Sequence, residues 1–507
     1  MKKWLSNISR RTWVRTILVT LLFIIVASGF AGEKIAVNDG LGWDGGNYLQ
    51  SMQHFTEWIS NRGYDQYAIR RVMPWGLTNI ICKWLDIDIT INVAIISGII
   101  YNVIALILSV MFFFRISNLK QWKLTTEALG FIFLFYTYPV LKMIGYYPVL
   151  SDMFGLTMGI MLCYYFFADK KWALVTLGFL GSFIWPTSPI CAFALAFFPR
   201  KELPILLSND NRIEKTLLNL SFIALACLPF VLLMIKVLRY HETPMSVCQG
   251  YCPLTEPSAS WMIPISCLCS CLYYYYMTSK FKVSVFSTIK ENFVGKSVWC
   301  SYLAFMVCVV ISTLACKLLA NAEPGELTAK MTLYVIACTS MTDPFVFIES
   351  HFFFYGIGFL LALVLWRDVA KVIMRQGIGF MFVVAIWILF SIRPEARVSI
   401  MYWIFPLMAL LMALDTKSIR SYWIGIAAII SLVMSLFWFK INVPDMEKYF
   451  DWENFEHYID FPAQRYFMNS GHWQSHTMYY VFMSITMLCV TIIYIGIRKK
   501  WFVSSEN

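Results

Sequence analysis

Charged residues are scarce in this chain. Asp, Glu, Lys and Arg make up 14% of its 507 residues, whereas 59% are hydrophobic. Mean hydropathy is +0.64, and apolar runs of about 20 residues, the length of a bilayer-spanning helix, recur along the sequence. No stretch shows the period-2 alternation of an outer-membrane barrel. The composition leaves no separate soluble domain and predicts an all-α, polytopic helical membrane protein.

Several sequence motifs are also missing. The chain has no Walker A loop and no dinucleotide-binding fingerprint, which argues against direct use of a nucleotide sugar. His472 and His476 have the spacing of a zinc motif but no Glu between them, so a metalloprotease is disfavoured. The chain has no internal repeat, which disfavours transporters built from two matched halves.

Charge is unevenly distributed between the two predicted sides of the membrane. Hydropathy predicts helices at 13–31, 91–114, 124–141, 151–168, 172–185, 187–199, 216–238, 261–277, 297–319, 346–366, 376–392, 398–414, 421–439 and 477–497. Basic residues beside the first and last helices predict cytosolic N- and C-termini, as an even helix number requires. With this topology 26 Lys/Arg and 9 Asp/Glu lie inside, against 15 and 21 outside. The net charge of +11 is mostly a topology signal, and we expect no nucleic-acid partner.

Two segments have more than one interpretation. Residues 1–31 also fit a secretory signal, but its removal would leave an odd helix number, so an uncleaved anchor is preferred. Cys248 and Cys252 lie in a predicted outer loop where an oxidising compartment would permit a disulfide, and the sequence does not decide whether it forms.

The segment 172–199 has basic residues at both ends and a Trp185-Pro186-Thr187-Ser188-Pro189 interruption at its centre. Each half is short for a membrane span. We therefore predict a broken helical hairpin whose tip approaches the outer face from within the bundle. Broken helices at membrane depth usually line a cavity.

The first outer loop, residues 32–90, contains acids, glycines and aromatics beside the membrane. A carboxylate held there can accept a proton from an acceptor hydroxyl, and Asp44 is the first candidate for this general base, with Asp39 as a second. Trp43 and Tyr48 offer flat faces with polar tips for substrate binding. The alternative for each aspartate is a glycine-rich turn without a chemical role.

Four arginines are predicted at the outer ends of helices: Arg70, Arg71, Arg393 and Arg397. Guanidinium groups suit phosphate because their donors form a planar fork, and a positioned cation stabilises a departing phosphate. These arginines are therefore candidate substrate-binding residues. The alternatives are snorkelling anchors or an ion pair with Glu395.

The order of these features resembles the GT-C glycosyltransferases, membrane enzymes that take a sugar from a polyprenyl-phosphate carrier. The resemblance is carried by Trp43-Asp44-Gly45-Gly46 with Tyr48, by Arg71 to Pro74, and by Pro148 to Phe154. It is strongest over residues 1–200, which would be the shared module. Residues 201–507, with an outer loop at 440–476 rich in acids and aromatics, would be the variable module.

The resemblance implies a bundle of about 12–14 transmembrane helices with loops on the outer face. It also implies transfer of a sugar from a lipid-linked donor to a glycan, lipid or other hydroxyl acceptor. Asp152 would help to shape the catalytic pocket, although an N-cap on the fourth helix also explains it. No cofactor is indicated, no metal ligands are assigned, and the need for a divalent metal stays undecided. The expected location is the cell membrane with an outward active face, or a luminal one in the endoplasmic reticulum.

Two other function classes fit parts of the sequence. A transporter or flippase for a lipid-linked or anionic substrate would use the same arginines along a translocation path. It predicts charges near the centres of helices, whereas the charges here cluster at the outer rim. An oligosaccharide polymerase or a membrane scaffold would depend on the large outer loops rather than on Asp44.

Overall fold

The computed structural model describes most of the chain. The described residues are 9–35, 37–204, 261–284, 294–323, 329–436 and 476–499, with single positions between them and at 501. The predicted helix at 216–238, the pair Cys248 and Cys252 and the outer loop 440–476 up to residue 475 lie outside these ranges, as does the side chain of Trp43.

Helices form nearly all of the regular structure in the described ranges, where no β-strand occurs. They are numbered here in chain order. The helices are α1 (Arg10–Phe30), α2 (Gly42–Asn61), α3 (Met73–Trp84), α4 (Ile91–Lys120), α5 (Leu124–Phe135), α6 (Pro139–Tyr146), α7 (Asp152–Phe167), α8 (Lys171–Gly181), α9 (Ser188–Phe197), α10 (Met262–Ser279), α11 (Lys296–Leu319), α12 (Ala329–Ser340), α13 (Val346–Tyr355), α14 (Ile357–Val364), α15 (Trp366–Arg375), α16 (Ile378–Phe390), α17 (Ile400–Asp415), α18 (Tyr422–Leu436) and α19 (His476–Arg498).

Five of the described helical segments are long and apolar enough to cross a membrane. They are Arg10–Phe30, Ile91–Lys120, Lys296–Leu319, Ala396–Asp415 and Tyr479–Arg498. A sixth arises if α5 and α6, which meet at an angle of 51°, act as one broken span. The first and third are only 17% buried, so their apolar side chains face outward, as a bilayer permits. The protein is thus a helical, multi-pass membrane protein.

The span Ala396–Asp415 lies at the centre of the described bundle. Of its most apolar 18-residue stretch, 83% is buried. It consists of a 3₁₀ turn, Ala396–Ser399, followed by α17. The helix contacts α5, α7, α14, α15 and α16. Aromatic rings fix its first half, since Trp403 stacks on Tyr355 with 5.2 Å between ring centroids. A rigid central helix holds the residues at its start in a fixed position.

The predicted hairpin at 172–199 is present as α8 and α9. The helices are 11 and 10 residues long and pack against each other, with the proline-containing interruption between them. The backbone N–H of Met73 donates to the carbonyl oxygen of Phe183 over 2.9 Å, so the tip contacts the 37–73 segment. The hairpin tip and the first predicted outer loop therefore lie at the same end of the bundle.

The helix prediction was wrong in several places. Helices α12 and α15 lie in segments 320–345 and 367–375, where no helix was predicted, and the predicted helix at 124–141 is broken after Phe135. Residues 32–90 are not an extended loop, because they form α2 and α3. The predicted single helix at 346–366 is divided at Gly356, whose φ of +75° and ψ of −165° interrupt the helical hydrogen-bond ladder. Hydropathy did not reveal this break because the residues on both sides are apolar.

Segments that the sequence assigns to the cytosol meet at one end of the bundle. The backbone N–H of Lys123 donates to Asp415 Oδ1 over 2.8 Å, and Arg11 donates to the carbonyl oxygen of Trp122. Trp423 Nε1 donates to the carbonyl oxygen of Trp501 over 3.1 Å. The structure thus groups these segments as the charge asymmetry predicted, while the side that faces the cytosol stays a prediction.

Candidate functional site

Asp44 lies in the first turn of α2, after a 3₁₀ turn at Val37–Gly40. Gly42 begins the helix with φ +71°, and a Cβ there would lie 2.2 Å from the ring of Tyr147. The backbone N–H of Asp44 donates to the hydroxyl oxygen of Tyr147 over 2.7 Å. The helix N-terminus also favours a negative charge at this position. The chain is therefore built to hold a carboxylate at a fixed point beside α6.

Arg397 pairs directly with Asp44, although the two residues are 353 positions apart. Its Nη1 donates to Asp44 Oδ2 over 2.7 Å, and its Nε donates to Glu395 Oε1, also over 2.7 Å. Glu395 Oε2 accepts a hydrogen bond from Arg393. The four side chains form a row of alternating charge, from Arg393 through Glu395 and Arg397 to Asp44. The row joins the two predicted modules.

Helix α13 holds the short turn before α17 in place. The hydroxyl of Tyr355 donates to the carbonyl oxygen of Ala396 over 2.6 Å and lies 2.9 Å from the hydroxyl of Ser399. Arg393 and Glu395 are 8% and 6% exposed. Burial in a paired arrangement does not fit freely snorkelling anchors, because those keep their charged ends in water or among lipid headgroups. The turn instead holds Arg397 against Asp44.

Arg71 lies on the α2 side of this row. Its Nη1 donates to the hydroxyl oxygen of Tyr48 over 3.2 Å, and its guanidinium lies 4.7 Å from the ring centroid of Tyr67 and 5.7 Å from that of Trp185 at the hairpin tip. Burial raises the pKa of Tyr67, so its ring stays neutral. Burial alone would lower the pKa of Arg71, but its hydrogen bond to Tyr48 and the charge of Asp44 oppose this effect, and that pKa is raised above its usual value. Arg71 is therefore a permanent cation.

A cavity of about 250 Å³ lies between α2 and the segment that precedes α3. Asp44 and Arg71 both line it, so the acid and the cation face the same space. The other lining residues are aromatic rings, polar side chains and small residues: Asn47, Tyr48, Gln50, Ser51, Trp58, Gly63, Tyr64, Asp65, Tyr67, Ala68 and Trp75. Tyr48 and Trp75 stack with 4.8 Å between ring centroids and give the wall a rigid aromatic face.

Asp152 is the first residue of α7 and is 8% exposed. The N-cap interpretation was wrong, because Ser151 is the N-cap residue and Asp152 Oδ2 is buried without a hydrogen-bond partner among the described residues. The carboxyl group interacts electrostatically with Arg397, Asp44 and Arg71. It is therefore a buried carboxyl group near the charged row, although no ion pair joins it to the row among the described residues.

The structure does not bring every candidate together. Asp39 is exposed and has a left-handed φ of +52° in the 3₁₀ turn, and no ion pair with it is found among the described residues. Arg70 is not among the residues that line the cavity, and its charge is close enough to influence Cys316 of α11. Successive residues of a 3₁₀ turn point about 120° apart, since three residues complete one turn. This difference in direction agrees with the presence of Arg71, and not Arg70, in the wall of the cavity.

Sequence reasoning missed several residues of the site. Glu395 was considered only as an ion-pair partner, yet it connects the two arginines of its turn. Tyr147 and Tyr67 were not singled out, although Tyr147 anchors Asp44 and Tyr67 supports Arg71. A signal existed for both tyrosines, because each lies next to a motif already marked: Pro148 to Phe154 and the adjacent Arg70 and Arg71.

Within the described ranges, no group of three or more His, Cys, Asp or Glu side chains is arranged to hold a metal ion. Comparisons with protein-family models, with curated proteins and with solved structures give no match.

Proposed function

We propose that this protein is a GT-C-type glycosyltransferase that uses a polyprenyl-phosphate-linked sugar. The observation that carries the proposal is the pairing of Asp44 with Arg397 beside a cavity, at the first turn of a candidate membrane span. A lipid-linked donor needs its phosphate bound at the bilayer boundary and its sugar held near a base. The pair supplies a cation and a carboxylate at that boundary.

Asp44 is the proposed general base. Its side chain is 33% exposed, Oδ2 accepts from Arg397, and Oδ1 has no hydrogen-bond partner among the described residues. In the proposed reaction, the acceptor hydroxyl gives its proton to this carboxylate while its oxygen bonds to the anomeric carbon of the donor sugar. The bond between that carbon and the phosphate oxygen breaks, and the electron pair leaves with the lipid phosphate.

Arg397 and Arg71 are the proposed phosphate ligands. Arg393 is connected to Arg397 through Glu395, to which both arginines donate. Arg397 donates to Asp44 and Arg71 lines the same cavity as Asp44, so a phosphate bound between the two arginines would lie close to the base. Arg397 is the second residue of the span Ala396–Asp415, so a phosphate at its guanidinium would leave the lipid chain beside apolar helices. The developing charge on the leaving oxygen would be met by cations already in position.

The cavity is the proposed acceptor site. Because a base must reach the acceptor's proton, the acceptor belongs on the open side of Asp44, and the cavity is there. Tyr67, Trp58 and Trp75 offer ring faces, and Gln50 and Asn47 offer amide groups. Flat apolar faces with nearby hydrogen-bonding groups suit the C–H faces and hydroxyls of a sugar ring. This composition supports a glycan acceptor more than a lipid tail.

The remaining parts of the proposal follow from the resemblance. They are a GT-C-like bundle of about 12–14 spans, a shared module at 1–200 and a variable one at 201–507. The membrane would be the cell membrane, with the active face outward. Loops of the variable module would complete the acceptor site.

The proposal is tested by transfer from radiolabelled polyprenyl-phosphate sugars to soluble glycans, with the purified protein in lipid nanodiscs. Asp44→Asn preserves side-chain shape and should reduce transfer roughly 10²–10⁴-fold. Glu57→Gln is the matched control, because Glu57 is an exposed residue of the same helix. Wild-type transfer by Asp44→Asn would refute the assigned base. Translocation of the lipid without sugar transfer would favour the flippase alternative.

A further inference from the structure

A second cavity lies at the opposite end of the bundle from the Asp44–Arg397 pair. Its volume is about 260 Å³, and its walls come from α5, α14, α18 and α19. Lys417, two residues beyond α17, lies at its mouth. The span Ala396–Asp415 has 20 residues, so this mouth is roughly 30 Å along the helix from Arg397. The cavity is therefore separate from the proposed glycosyltransferase site.

The cavity opens sideways to the surface of the bundle. Ile426, Ile430 and Ile492 line it and are 37%, 36% and 50% exposed. The remaining lining is almost entirely apolar and includes Phe133 and Leu361. An apolar space gives water no hydrogen-bond partners. In a membrane protein, a side opening among isoleucines is a place for an acyl chain.

Cations and tryptophans surround the mouth of the cavity. Trp423 and Trp501 line it next to Lys417, and Lys499 lies 5.9 Å from the ring centroid of Trp501. Arg420 is exposed between two lining residues of the same segment. Tryptophan is typical of the membrane–water boundary, and basic pockets between transmembrane helices bind anionic lipid headgroups.

Among the described residues, only one of these cations is neutralised by a nearby acid. Asp368 pairs with Lys417 over 2.8 Å, and Asp415 accepts from the backbone of Lys123 rather than from a basic side chain. Among the described residues, neither Arg420 nor Lys499 has a carboxylate partner. The mouth therefore carries excess positive charge next to an apolar slot.

We propose that this cavity binds one acyl chain of an anionic phospholipid, with the headgroup phosphate held at Arg420 and Lys499, beside the Lys417–Asp368 pair. The inference goes beyond the proposed function, because it concerns neither the donor nor the acceptor. A zwitterionic lipid with the same chains would fill the apolar slot but would leave the excess charge unmatched. The occupant is thus selected by charge.

The test compares dioleoyl phosphatidylglycerol with dioleoyl phosphatidylcholine. Delipidated full-length protein in maltoside detergent is titrated with each lipid, and native mass spectrometry measures the bound fraction. Phosphatidylglycerol should bind more tightly. Each cation near a membrane surface contributes roughly 1 kcal/mol, or about fivefold in affinity, so Arg420→Gln with Lys499→Gln should weaken its binding about 25-fold. Lys317→Gln is the control, since Lys317 is an exposed cation in the last turn of α11.

A second variant tests the apolar slot. Ala427→Phe places a ring into the cavity from α18 and should remove most binding of both lipids. If this variant fails to fold, the charge variants still decide. Equal affinities for the two lipids in the wild type would overturn the proposal, as would an unchanged phosphatidylglycerol affinity in the double variant. A loss of equal size in Lys317→Gln would show non-specific attraction and would also overturn it.

Discussion

Replacement of Arg397 tests whether the charged row binds donor phosphate. The guanidinium is 17% exposed and makes two charge-assisted hydrogen bonds at rest, to Asp44 and Glu395. If one comparable bond to phosphate is lost in Arg397→Ala, the cost is roughly 1.5–3 kcal/mol, or about a 10- to 150-fold weaker donor affinity. Arg397→Lys keeps the charge but loses the planar fork, so it should retain part of the affinity.

The assay is a titration of purified protein with a short-chain polyprenyl phosphate by isothermal calorimetry. Arg115→Ala is the control, because Arg115 is an exposed arginine of α4 whose guanidinium lies over the ring of Phe112. Thermal unfolding in the same detergent checks that the variants stay folded. Arg393 keeps Glu395 paired when Arg397 is removed, so a modest loss of stability is expected. Equal affinities in wild type and Arg397→Ala would mean that this arginine only holds Asp44 in place.

Three further predictions concern the geometry around Asp44. Gly42→Ala should reduce transfer strongly, because the added Cβ would collide with the ring of Tyr147 and because position 42 has a φ of +71°. Gly46→Ala is the control and should be close to wild type, since its Cβ would have only a 3.4 Å contact; similar activities of the two variants would contradict the role of this turn. Asn47→Cys, at an exposed position, should react with an impermeant maleimide from outside intact cells, and labelling only after lysis would reverse the topology. Tyr355→Phe removes the hydroxyl that holds the turn before α17 and should lower kcat in assays of the folded protein, with an unchanged kcat excluding that role.

The sequence predicted those parts of the fold that depend on local hydropathy. The helix at 91–114 is present and continues to Lys120, and the hairpin at 172–199 has its interruption where the prolines indicated. In contrast, α2 and α3 were missed. Helix α2 begins with several glycines, which have low helix propensity, and it carries many polar residues, so its segment reads as a loop. Contacts with the rest of the bundle decide its structure.

The candidate site was predicted in composition but not in arrangement. Asp44 and Arg397 were each chosen for their chemistry, yet no local pattern indicates that residues 353 positions apart form an ion pair. The sequence alone could not show that Asp39 and Arg70 differ from Asp44 and Arg71 in their position at the site. Asp39 and Arg70 each lie in a 3₁₀ turn of only four residues. Side-chain direction in short turns depends on dihedral angles that composition does not specify.

The ion pair between Asp44 and Arg397 has a consequence for the order of charge movements in the proposed reaction. At rest, the Asp44 carboxylate pairs with the Arg397 guanidinium and weakens its attraction for any other anion. When the carboxylate takes the acceptor's proton it becomes neutral, and the arginine loses that competitor at the moment when the departing phosphate gains a second negative charge. Asp44 would then act both as the base and as a counter-ion of Arg397 that loses its charge when it takes up the proton. Proton uptake and the hold on the leaving group would be coupled through one hydrogen bond of 2.7 Å.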